Sequence, residues 1–136
     1  MRSILAAVIC ATVPFAAHAQ SYETINRLNV IPLGGSSFEV IEARGEGPSG
    51  IWCAAASYAQ DRVGMTNSTR IYIKTPRGPS ISGAGSIGVV FTTDPNDLPS
   101  PPRKSYSISV DQQSISLTIG HSIQYCKDYI IELKDL

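Results

Sequence analysis

The chain has 136 residues, with 11 Lys and Arg balanced by 11 Asp and Glu and 43% hydrophobic residues, enough for one globular domain and too few for two. A formal charge of zero provides no broad positive field, so nucleic acid and anionic membrane surfaces are disfavoured as partners. Charged residues are only 16%, below the roughly 25% of ordinary soluble domains, yet the apolar content supports a core and excludes a disordered chain.

Residues 1–19 carry the tripartite pattern of a secretory signal: Arg2, an apolar stretch from Ile4 to Ala17, and the small-x-small site Ala17-His18-Ala19. The expectation is cleavage after Ala19, a single disulfide-stapled domain over residues 20–136, and a periplasmic or secreted location. Pro14 interrupts the apolar stretch, which is shorter than the roughly 20 residues that cross a bilayer, and no later run reaches that length. No membrane span is expected. Cys10 leaves with the leader, so Cys53 and Cys126 remain in an oxidising compartment, where two cysteines have one possible pairing.

In chain order, residues 20–26 are polar and read as a loosely held arm. Two β-patterned runs, Arg27 to Pro32 and Phe38 to Ala43, flank Gly34-Gly35-Ser36-Ser37 and predict a hairpin. Ser49 is the candidate N-cap of an alanine-rich helix over 51–63, with Trp52, Ala55, Ala56, Ala59 and Val63 on its buried face and Gly64 ending it. Period-two patterning then predicts strands over 70–74, 86–93, 105–110 and 114–119, the last two forming a hairpin through Asp111-Gln112-Gln113. The proline-rich stretch from Asp94 to Pro102 reads as an extended loop, and a short helix over 121–128 precedes an irregular tail. Together these predict an α+β fold, one main helix on a curved, mostly antiparallel sheet of about five or six strands. A β-sandwich with a decorating helix is the alternative.

The chemistry turns on one sulfur. Cys53 near a helix start, with His121 as the only histidine after the leader, would suit a cysteine hydrolase in which the helix dipole lowers the thiol pKa and His121 takes its proton. A Cys53–Cys126 disulfide uses the same sulfur and is the favoured reading on compartment and parity. No Gly-x-Ser-x-Gly elbow is present, and the alternating serines of 105–118 read as a strand's wet face. Neither a metal nor another cofactor is expected, because the carboxylates are scattered and Asp94-Pro95-Asn96-Asp97 lacks calcium-loop spacing. Gly78, Gly83, Gly85 and Gly88 read as a flexible turn, since no Gly-Lys-Ser/Thr follows them.

Ile51-Trp52-Cys53-Ala54-Ala55-Ala56 with Tyr58-Ala59, followed by Arg70-Ile71-Tyr72-Ile73 and Pro76-Arg77-Gly78-Pro79-Ser80, resembles a group of small exported bacterial proteins with a Trp-Cys-Ala-Ala helix and a second, C-terminal cysteine. The likeness covers roughly half of the predicted mature chain. It implies bacterial export and a shared fold, and it transfers no catalytic residues. The functional expectation is a noncatalytic binding module, an inhibitor among the options, which meets an envelope or extracellular protein or ligand through loops such as Pro76 to Ser80 or Asp94 to Lys104. The Cys53–His121 hydrolase is the alternative.

Overall fold

Apolar residues at every second position build the sheet, and an alanine-rich segment supplies the helix packed on it. In the computed structural model, which describes residues 7–12 and 20–134 and only the backbone of 131–134, residues 7–12 are exposed and irregular. The predicted cleavage site lies outside the described residues. The elements are β1 (Tyr22–Glu23), β2 (Asn29–Gly34), β3 (Ser37–Ile41), α1 (Gly47–Asp61), β4 (Arg70–Pro79), β5 (Ile87–Thr92), β6 (Ser116–Thr118), α2 (Ile119–Ser122) and α3 (Lys127–Lys134), with 3-10 turns at Pro95–Asp97 and Ile123–Cys126. The sheet is antiparallel and open, in the order β1-β2-β3-β5-β4-β6. The fold is α+β.

One face of the sheet carries Val30, Phe38, Val40, Ile71, Ile73, Val89 and Phe91 into the core beneath α1. Trp52 meets Phe91 edge-on at 5.0 Å, and Phe38 meets Tyr58 at 4.6 Å. The helix is buried over all of residues 50–59, because α2 and the Ile123–Cys126 turn pack on it as well as the sheet. The one-sided face expected from the spacing is thus corrected to burial on every side. Small alanines permit that close approach: Ala54, Ala55, Ala56 and Ala59 are fully buried. Ala56→Leu should overpack the site and cost about 1–3 kcal/mol by urea denaturation; an unchanged midpoint would put room where the structure has none.

The helix begins earlier than Ser49. Glu46 is the N-cap, and Pro48 occupies the first turn, where its missing N–H costs no hydrogen bond. Helical structure stops at Asp61 and Val63 is 39% exposed, so Val63 does not belong to the buried face. Gly64, at φ +74°, reverses the chain and lets Met65 N donate to Ala59 O at 3.0 Å.

Other expectations also change. The supposed loose arm forms β1 and a buried turn in which Thr24 Oγ1 donates to Asn26 Oδ1 and Asn26 Nδ2 donates to Gly50 O at 2.8 Å. Tyr22 Oη donates to Asp61 Oδ2 at 2.5 Å; burial and that bond push the phenol up to about 12. Residues 105–110 form no strand, and hence no hairpin with 114–119. Ser105, Ser107 and Ser109 each accept on the hydroxyl a bond from the backbone N–H two residues on, at 3.1–3.2 Å, which withdraws those groups from a ladder. Trp52 Nε1 holds this segment by donating to Ile108 O at 2.8 Å. Strand β6 is only Ser116–Thr118 and pairs with β4. The segment 94–102 is irregular apart from Pro95–Asp97, and the tail is the helix α3. Tyr129 Oη donates to Glu46 Oε2, joining α3 to the start of α1.

Candidate functional site

Cys53 and Cys126, both buried, are joined in a disulfide with their Cα atoms 5.2 Å apart. The bond fastens α1 to the Ile123–Cys126 turn, and Ser57 Oγ lies 3.6 Å from Cys126 Sγ. The sulfur that a Cys53 nucleophile would need is therefore in a covalent bond. His121 is exposed and shares a hydrogen bond with Tyr125 Oη at 3.2 Å. Among the described residues, no group of three His, Cys, Asp or Glu is placed to hold a metal, and no helix is long and apolar enough to cross a membrane.

The polar chemistry gathers on the sheet face opposite α1. Near its centre Asp97 Oδ2 accepts from Ser37 Oγ at 2.6 Å, Lys74 Nζ at 3.1 Å and Thr92 Oγ1 at 3.3 Å. The bonds from Ser37 and Lys74 hold the Asp97 carboxyl below its ordinary range. Lys74 also donates to Ser37 Oγ at 3.0 Å. A serine beside a lysine is the pairing of some hydrolases, but here the ammonium donates to the hydroxyl oxygen and the carboxylate at once, so it acts as a brace between β3, β4 and the Pro95–Asp97 turn. Asp94 caps that turn by accepting from Asn96 N at 2.9 Å.

Beside this brace, Glu39 is fully buried under the β4–β5 connection. Its carboxylate accepts from Ile81 N at 2.7 Å, Ser82 N at 3.2 Å, Ser80 Oγ at 2.9 Å and Ser82 Oγ at 2.5 Å. Burial raises its pKa, but the bonds from Ser82, Ile81 and Ser80 outweigh burial and hold the carboxyl below its ordinary value. Gly88 leaves the space for it: a Cβ there would sit 2.7 Å from Glu39 Oε2. The glycine-rich stretch is thus a lid tied down on a buried carboxylate. The candidate loop Pro76 to Ser80 is mostly strand, since β4 runs to Pro79 and Arg77 pairs with Glu42 at 2.7 Å.

At the β4–β6 edge the same face holds a cleft of about 510 Å³. Arg70 and Tyr72, two apart on β4, project to one side with Ser116, which pairs across from Tyr72. The segment 102–106 forms the other wall and brings Arg103, Lys104 and Tyr106. Arg103 N donates to Ser114 O at 3.0 Å and holds this wall in place. Among the described residues, no carboxylate lies within 4.0 Å of Arg70, Arg103 or Lys104. Arg70 Nε instead donates to Ser116 Oγ at 3.0 Å, with Nη2 3.5 Å from Ser116 O.

No protein-family model, curated protein sequence or solved structure matches the chain. The cleft's own geometry therefore carries the functional argument.

The candidate loop Asp94 to Lys104 contributes Arg103 and Lys104 to this cleft. Arg70, Tyr72, Tyr106 and Ser116 were not singled out in the sequence as site residues. Their signal was partial: alternation on 70–74 places Arg70 and Tyr72 on the polar side of a strand, and Arg103-Lys104 stands two residues from an aromatic. Which strand would lie beside β4 was not readable from either pattern.

Proposed function

We propose that this chain is an exported, noncatalytic binding module whose ligand surface is the cleft between the β4–β6 edge and the 102–106 segment. One observation carries the reading: three cations without carboxylate partners among the described residues share one cleft with Tyr72 and Tyr106. The Tyr106 side chain is fully exposed, so its ring contributes no burial to the fold, and the cleft cations contribute no ion pair. Residues idle in the fold, gathered on a wall held by backbone hydrogen bonds, suit recognition of an anionic partner outside the cell membrane. The leader pattern and the disulfide support the exported location.

The test is retention of envelope and medium components on immobilised protein, compared with the double variant Arg103→Glu and Lys104→Glu. Reversing two unpaired cleft charges should abolish retention at low salt while leaving the melting temperature within a few degrees, because neither residue is buried. Retention that survives charge reversal, or the absence of any retained component, would remove this cleft as the binding surface.

A further inference from the structure

Resting on that reading of the cleft, we infer that its ligand is a carboxylated saccharide, with carboxylate groups on Arg70 and Arg103 and a sugar ring packed on a tyrosine face. The Arg70 guanidinium is oriented before any ligand arrives, since Nε and Nη2 are engaged by Ser116 and Nη1 has no partner among the described residues. The Nε side of the guanidinium is taken by Ser116, so the end-on pair, Nη1 and the outer N–H of Nη2, is the fork that matches the two oxygens of a carboxylate, whereas Lys104 adds a point charge without geometry. Tyr72 and Tyr106 present rings with a polar tip, suited to a ligand that is apolar on one face and hydroxylated at its rim. Hydroxyls on Ser105 and Ser116 also line the cleft. Its volume of about 510 Å³ falls within the roughly 300–1,000 Å³ of small-ligand sites.

The other anions fit less of this surface. A simple inorganic ion would use the cations and leave both rings without a role. An acidic peptide added to the sheet edge would need free main-chain groups, but Arg103 already bridges Ile115 and bonds Ser114 O, and β6 has only three residues. Nucleic acid is opposed by the zero formal charge of the whole chain.

The experiment is calorimetric titration of the disulfide-intact protein with trigalacturonate and trimannuronate. Galactotriose serves as the neutral sugar, citrate as the simple anion and tetra-aspartate as the acidic peptide. At least one uronate should bind, and galactotriose, citrate and tetra-aspartate should each bind about tenfold more weakly or worse, since each lacks the charge or the ring. Arg70→Lys, which keeps the charge and loses the fork, and Tyr106→Ala should each weaken the uronate about tenfold, with circular dichroism confirming that both variants fold. Galactotriose equal to the uronates, citrate as tight as the uronates, tighter tetra-aspartate, or no uronate binding would each overturn the inference. Retention of envelope components that depends on Arg103 and Lys104, without uronate binding, would overturn the saccharide and leave the cleft standing. Loss of both would end the two readings together.

Discussion

Cys126→Ser should lower the melting temperature by about 15 °C, a loss of about 4 kcal/mol. The bridge closes a sequence separation of 73 residues, so the oxidised unfolded chain loses the entropy of closing a long loop. The bridge also clamps the Ile123–Cys126 turn onto α1, and this turn together with α2 buries the side of α1 that faces away from the sheet. Without the covalent tie, that layer rests on the packing of a four-residue helix and a single 3-10 turn, the bonds from Ile119 N and Gly120 N to the 67–69 segment, and the Tyr129–Glu46 hydrogen bond. Calorimetry of wild type and variant gives the shift, and a change of only a few degrees would show that packing alone holds the layer. Iodoacetamide provides the chemical counterpart: native protein should remain unmodified at Cys53 and Cys126 and become labelled at both after reduction. Rapid labelling of unreduced Cys53, abolished by His121→Ala, would replace the binding module with a cysteine hydrolase.

Glu39→Ala should cost about 3 kcal/mol at neutral pH, because each hydrogen bond to a charged group contributes roughly 1.5–3 kcal/mol and the lid donors lose a common acceptor. Some of them will recover water as residues 80–82 lift, which keeps the cost below the sum. The pH dependence has a definite sign. The folded carboxyl lies below its ordinary value, so its contribution is complete above the unfolded pKa of about 4.3 and is lost as pH falls through the lower folded value. Asp97 is depressed as well and adds in the same direction, so the Glu39 share must be read as a difference. Urea denaturation at pH 7 and pH 3 should show wild type losing more stability on acidification than Glu39→Gln, which has no carboxyl to protonate. Equal losses would mean that the lid does not depend on the ionised form. Hydrogen exchange at Ile81 and Ser82 should accelerate in either variant.

Local pattern carried the sequence reading where neighbours in sequence are also neighbours in space. The β2–β3 hairpin around Gly34-Gly35 formed as read, since both glycines adopt positive φ and the flanking runs alternate. The stretch 70–74 lies in β4, 86–93 contains β5 and overruns it by one residue at each end, and the alanine-rich segment forms the body of α1. Periodicity misled at 105–110, where Tyr106, Ile108 and Val110 alternate with serines as a strand would. Each serine could satisfy a nearby backbone N–H by itself, and this local competition is not visible in a count of apolar positions. The helix face was half right for a different reason. Three- and four-residue spacing identifies a stripe, whereas burial of the other side depends on what α2 and the Ile123–Cys126 turn do some sixty residues later.

Composition, alternation and glycine placement by themselves determined the central strands and the main helix, because each rests on the geometry of a few consecutive residues; the open six-stranded sheet decided the α+β class over a β-sandwich. The cleft and the buried carboxylate were decided by tertiary structure alone. Glu39 reads in sequence as an ordinary polar position on a strand, and only the lid of residues 80–82, brought over it by the β4–β5 pairing, makes it a buried anion. Arg70 and Arg103 are far apart in the chain and line one cleft because β6 pairs with β4 while Arg103 bridges Ile115, the residue before β6. Strand order depends on long-range burial and hydrogen bonding, which short-range patterns constrain only weakly.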